Sequence, residues 1–226
     1  MKRIVFIAMV VLLSVCVQAQ NDVTRFLGIP VDGTKSAMIQ KLIEKGYTYN
    51  VDTDILKGEF NGREVDIQVV THNAKVWRIC VWFCRPETKK SLNSNYNDLC
   101  RQFNKNEKYI RAYLHDYVLS EEEDVDNNYT LKNYQAVYYQ QPQNDSLRQD
   151  FLDMKEMSLN YERLNLKDSL SEDEFALRLL IVLRYRAKME KFSNNVVWFT
   201  ILRTIYSNYH IAIYYDNLFN KNDDDL

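Results

Sequence analysis

The stretch Val196 to Asp216, V-V-W-F-T-I-L-R-T-I-Y-S-N-Y-H-I-A-I-Y-Y-D, constrains the fold more than any other part of the chain. It is dense in β-branched and aromatic residues and holds neither glycine nor proline, a composition that favours strand. The polar pair Ser207-Asn208 sits where a two-residue turn belongs, so the pattern predicts a β-hairpin. Pairing Tyr206 with Tyr209 places Trp198, Thr200, Leu202, Thr204, Ile211, Ile213 and Tyr215 on one face. Phe199, Ile201, Arg203, Ile205, His210, Ala212 and Tyr214 then take the other. Both faces are largely apolar, so each needs a cover.

The covers are legible upstream. Thr34 is placed to cap a helix whose Met38, Ile39, Leu42 and Ile43 share one face, and Gly46 is placed to end it. Asn61-Gly62 between two alternating runs is a strong hairpin signal, because both turn positions need positive φ. With Phe60 opposite Arg63, one face carries Leu56, Phe60, Val65, Ile67 and Val69. Val76 to Phe83 adds a third strand with Trp77, Ile79, Val81 and Phe83 toward the core. Arg78, Cys80 and Trp82 point to the far side, Arg78 within reach of Asp66. Ser91 to Phe103 has Leu92, Tyr96, Leu99 and Phe103 at helical spacing.

In the second half, Tyr109 to Leu119 has mixed periodicity and reads as irregular or a short strand. Tyr129 to Gln140 alternates like a strand, with Leu131, Val137 and Tyr139 opposite Tyr134, Ala136 and Tyr138. Asp145 is placed to cap a helix carrying Leu147, Phe151, Met154, Tyr161 and Leu164. Ser171 to Glu174 is a capping box that opens another, running to about Phe192. The centre of that helix, F-A-L-R-L-L-I-V-L-R-Y, is apolar almost all round, which predicts deep burial. The expected fold class is α+β: small antiparallel β-meanders packed against helices in two loosely similar halves, residues 20–108 and 109–226, with a sheet in each.

Lys2-Arg3, an apolar run from Ile4 to Val17 and Val17-Gln18-Ala19 have the form of an export signal over residues 1–19. The run is shorter than the roughly 20 residues a membrane span needs, so no transmembrane segment is expected in the mature chain. The expected location is periplasmic or extracellular. Leu13-Ser14-Val15-Cys16 approaches a lipidation motif, but Val15 fits that motif poorly. The formal net charge of −2 becomes more acidic once Lys2 and Arg3 leave with the signal, which does not suit nucleic acid. Of the four cysteines, Cys80 and Cys84 lie about 13 Å apart along one strand, too far to bond each other. Either can reach Cys100, Cys84–Cys100 being the bridge carried forward, or all three are small buried hydrophobes.

All five glycines fall at or before Gly62. Phosphate loops, dinucleotide fingerprints and nucleophile elbows need glycine where backbone approaches a ligand, so residues 63–226 exclude them. His72, His115 and His210 are isolated in sequence. Asp124 to Asn128 begins like a calcium loop, but Tyr129 stands where glycine belongs and Gln135 where the closing carboxylate belongs. No catalytic residue, metal or cofactor is therefore expected.

Tyrosine and tryptophan offer large, rigid contact area at interfaces. Tyr134, Tyr138, Tyr209, Tyr214 and Trp198 are the candidate binding residues, on a surface for a protein or envelope partner or on a platform for sugars. The competing reading is that these rings pack the second sheet. The alternatives to a non-enzymatic binding protein are a carbohydrate-binding module and a small envelope hydrolase with a site built from scattered residues, His115 or His210 beside a carboxylate or cysteine.

The segments F-L-G-I-P-V-D-G-T-K-S-A-M-I-Q-K-L-I-E-K-G and L-C-R-Q-F-N-K-N-E-K-Y-I, with V-W-F-T-I and I-A-I-Y-Y-D-N, resemble a group of exported, uncharacterised proteins of gut Bacteroidales. The resemblance implies export and assigns no residue a role. The G-T-K helix followed by an antiparallel meander also resembles the fold shared by β-lactamase inhibitor proteins and the small lipoprotein of the outer-membrane barrel-assembly machinery. That likeness implies fold alone.

Overall fold

The structure, a computed structural model, describes residues 22–129, 132–204 and 208–221. The expected export signal with Cys16, and the turn residues Tyr206 and Ser207, lie outside the described residues. A short ribbon of β1 (Arg25–Phe26) and β2 (Ile29–Pro30) leads into helix α1 (Lys35–Glu44). The meander β3 (Thr48–Asn50), β4 (Ile55–Phe60), β5 (Arg63–His72) and β6 (Lys75–Phe83) follows, then helix α2 (Lys89–Lys105). Strand β7 (Tyr109–Arg111), the short helix α3 (Val125–Asn128) and β8 (Gln135–Gln140) precede the helical hairpin α4 (Asp145–Asn165) and α5 (Glu172–Met189). The hairpin β9 (Val196–Arg203) and β10 (Tyr209–Asp216) and the short helix α6 (Leu218–Lys221) close the chain.

The fold is α+β and antiparallel. The expectation of two sheets is corrected: the main strands form one eight-stranded sheet in the order β3-β4-β5-β6-β10-β9-β8-β7. The seam is the pairing of β10 with β6, from Ala212 opposite Trp82 to Asp216 opposite Arg78. Joining the two meanders there satisfies the backbone groups that two separate sheets would leave on open edges. Among the described residues no helix is long and apolar enough to cross a membrane.

Local signals hold where the determining residues are adjacent. Thr34 accepts from the Ala37 N–H at the start of α1, and Met38 and Leu42 are buried. Asn61 and Gly62 both take positive φ, with Phe60 opposite Arg63. Ser171 and Glu174 form the capping box of α5. Two boundaries move: β8 starts at Gln135 rather than Tyr129, and α4 is capped by Asn144, one residue before Asp145.

The inner sheet face packs against α1, α2 and the β1–β2 ribbon. Its core includes Phe26, Leu42, Ile67, Val81, Tyr96, Phe199 and Ile213. A second, smaller core lies on the opposite face at the β7–β8 end, where Phe151, Met154 and Tyr185 of the helical hairpin cover Ile110 and Tyr139.

Three further expectations are corrected. First, Tyr209 pairs with Arg203, and the turn is closed by the Thr204 N–H donating to the Asn208 carbonyl at 2.8 Å. The expected partner was Tyr206, three residues away, and any odd shift of register exchanges faces on a strand, so Trp198, Thr200 and Leu202 share a face with His210, Ala212 and Tyr214. Second, β5 and β6 slip past one another: Val70 pairs with Arg78, whereas Thr71 pairs with Val76. This bulge leaves Trp77 without an opposite residue. Val76 takes the core position, and Trp77 lies against the Arg78 guanidinium. Third, α5 is not deeply buried. Ile181 and Tyr185 are its buried residues, while Phe175, Leu177, Leu179, Leu180 and Leu183 are exposed.

Candidate functional site

The outer face of β5, β6, β10 and β9 carries side chains that belong to neither core. Strand register arranges them in rows. Gln68, Cys80, Tyr214 and Trp198 form one row, and Asp66, Trp82, Ala212 and Thr200 the next. Cys80 and Ala212 are small and buried, whereas Trp82, Tyr214, Trp198 and Thr200 are half-exposed. Small buried side chains therefore alternate with large half-exposed ones across this face.

One ion pair holds Trp198 and Tyr214. Asp216, 4% exposed, accepts from Arg78 through Nε at 2.6 Å and Nη2 at 2.7 Å. The two residues are opposite in the register, so the bidentate geometry follows from strand pairing. Trp198 Nε1–H donates to the same carboxylate at 2.9 Å. The Arg78 guanidinium lies 4.2 Å from the ring centre of Trp77, 5.0 Å from Tyr214 and 5.3 Å from Trp198. Trp198 and Tyr214 stack at 4.1 Å with 20° between their planes. Burial is the main cause that raises the pKa of the Tyr214 hydroxyl. At the end of the strand, the Thr24 hydroxyl donates to the Asp216 carbonyl at 2.5 Å.

The chemistry this permits is contact. The indole N–H of Trp198 is satisfied within the cluster, so what that ring presents to solvent is apolar surface. Burial pushes the Cys80 thiol up to about 12, which keeps it protonated and unreactive near neutrality.

The candidate tyrosines divide. Tyr214 and Trp198 stand on the outer face. Tyr134, Tyr138 and Tyr209 are buried on the inner one, with exposures of 5%, 0% and 2%. Tyr138 stacks on Phe199 and meets Phe103, and its hydroxyl is satisfied by Asn104 and the Cys100 carbonyl. Tyr134 donates to the Glu123 carboxylate at 2.6 Å. Alternation put these tyrosines together on β8 but did not say which face α2 covers. Trp77, Arg78, Trp82 and Asp216 were missed as site residues. The alternation of β6 had already set Arg78 and Trp82 on one side, and the register of β10 was needed to bring Asp216 to them.

The expected Arg78–Asp66 contact is corrected, since Asp216 takes the guanidinium. The expected Cys84–Cys100 bridge is corrected too: Cys80, Cys84 and Cys100 are free thiols. Cys84 is exposed beyond the end of β6, on the same side of the strand's alternation as Cys80 and Trp82. Cys100 is buried in the inner core with α2. The sheet separates them.

Two hollows hold buried charged side chains. One of about 460 Å³ runs between β7 and α4, where buried Arg111 pairs with Glu162. Another of about 520 Å³ lies beside Glu87, which accepts from Arg63, Ser91 and Asn95. The buried charge in each is already matched by side chains of this chain. His210 Nδ1 lies 3.1 Å from the Phe83 carbonyl, and His115 packs on Tyr113 and Tyr117. None of these contacts engages a thiol or a carboxylate. In comparison with known proteins, no family model, no curated protein and no solved structure matches the chain.

Proposed function

We propose that the chain is an exported, non-enzymatic binding protein, and that the aromatic outer face of its sheet engages a protein partner of the cell envelope. One observation carries the reading: Trp82, Trp198 and Tyr214 stand half-exposed around a floor of Cys80 and Ala212, outside both cores. The Arg78–Asp216 pair supports it further. It holds Trp198 and Tyr214 before any partner arrives, so association costs little side-chain entropy at those two rings, and preorganised aromatic anchors are the usual centres of binding energy.

Affinity capture from envelope extracts tests this with the unaltered chain beside Trp82→Ala and Tyr214→Ala variants. A specific partner should be captured by the unaltered chain and lost from both variants, while a Tyr138→Phe control keeps it. Equal capture by all four proteins would sink the proposal.

A carbohydrate platform is the second reading, favoured by the half-exposed Gln68 amide in the same row as Tyr214 and Trp198, where sugar hydroxyls need partners. A glycan array separates the two: saturable glycan binding lost in Trp82→Ala would replace the protein partner with a saccharide.

A further inference from the structure

The outward side of α5 is an apolar surface distinct from the aromatic face. The inner side of this 18-residue helix is fully engaged. Tyr185 donates to the Arg111 carbonyl, Lys188 pairs with Asp150 and Asp153, and Arg178 lies over the Tyr161 ring at 5.2 Å. Opposite these, Phe175 is 62% exposed, Leu179 53%, Leu180 41% and Leu183 57%. Ala176, Leu179 and Leu183 follow at steps of three and four, the spacing of a helix-packing seam. From Phe175 to Leu183 the stripe spans a little over two turns, roughly 12 Å at 1.5 Å per residue.

The charges bracketing this stripe select its cover. Glu172 and Asp173 stand at its start and Arg184 and Arg186 near its end, all exposed. Among the described residues none of the four has an ion-pair partner. These charges suit the helix's own dipole. A parallel copy of α5 would bring acid against acid and base against base. An antiparallel copy sets the acidic turn of each helix beside the basic turn of the other, twice over, and opposes the two dipoles favourably. A two-fold axis, the commonest closed symmetry of soluble oligomers, relates the two copies in such an arrangement.

We propose that α5 is a homodimer interface, in which two copies of the chain pack their α5 helices antiparallel through Leu179 and Leu183, with Glu172 and Asp173 facing the partner's Arg184 and the partner's Arg186. Light scattering after size exclusion on the full chain tests the state, and analytical ultracentrifugation gives its dissociation constant. The unaltered chain should be a dimer at tens of micromolar. Leu179→Glu with Leu183→Glu should raise the dissociation constant at least about a hundredfold, with circular dichroism unchanged because both side chains are exposed. Two charge variants set the orientation: one with Glu172→Arg and Asp173→Arg, the other with Arg184→Glu and Arg186→Glu. Each alone should be weakened at least about tenfold, and an equimolar mixture should recover a mixed dimer. A monomeric unaltered chain, a dimer indifferent to the leucine substitutions, or a mixture that stays monomeric would each overturn the proposal.

Discussion

Asp216 does more than any other single residue to organise the outer face. Its carboxylate is buried and serves Arg78 and Trp198 together. Asp216→Ala leaves the partly buried guanidinium without a counter-charge, and truncating one member of a buried pair costs about 3–5 kcal/mol. Urea unfolding should show that loss in the midpoint, and adding Arg78→Met should restore part of it by removing the stranded charge. Glu123 makes a pH-dependent contribution. Hydrogen bonds from Lys132 first and then Tyr134 hold its carboxyl at about 2, against an ordinary 4.5. A depressed folded-state pKa stabilises fully above the unfolded value and is lost as pH falls through the folded one. The unaltered chain should therefore lose thermal stability between pH 5 and 2 more steeply than Glu123→Gln, the two curves converging at the acid end. Neither role was legible from the residues alone. Asp216 ends a long apolar stretch and Glu123 sits in an acidic run, and both meet their partners only through the fold.

Among the elements, the turns show how far local sequence reaches. Asn61-Gly62 was readable because both residues tolerate positive φ. The turn joining β5 and β6 has the same form and was not, because Asn73 and Ala74 fill it, with φ of 46° and 63°. An alanine held there carries a steric cost that glycine escapes, so Ala74→Gly should stabilise by about 0.5–1 kcal/mol, against the usual trend for replacing alanine by glycine. Chemical denaturation with matched m-values checks it. The capping box of α5 was legible for the same local reason. Its burial was not, since a run apolar on all sides says that something covers the helix without saying whether the same chain supplies it. The bulge at Trp77 was invisible to alternation, which assumes one residue for one residue on adjacent strands.

At the scale of the molecule, the antiparallel α+β class was readable and the order of strands was not, because order is set by pairings between distant segments. The union of β6 with β10 makes the two halves of the chain one cooperative body. Tryptophan fluorescence, reporting Trp77, Trp82 and Trp198 around the seam, and far-ultraviolet circular dichroism, reporting all elements, should trace a single coincident urea transition. Two resolved transitions would show that the halves unfold separately. The seam also imposes a timetable. As the chain emerges from its N-terminal end, β6 waits with one flank open until β10, the second strand of the distant β9–β10 hairpin, comes to lie beside it. Until β10 is made, a nine-residue strand stands open along one flank, and a helper that shields that strand would guard the nascent chain from clumping.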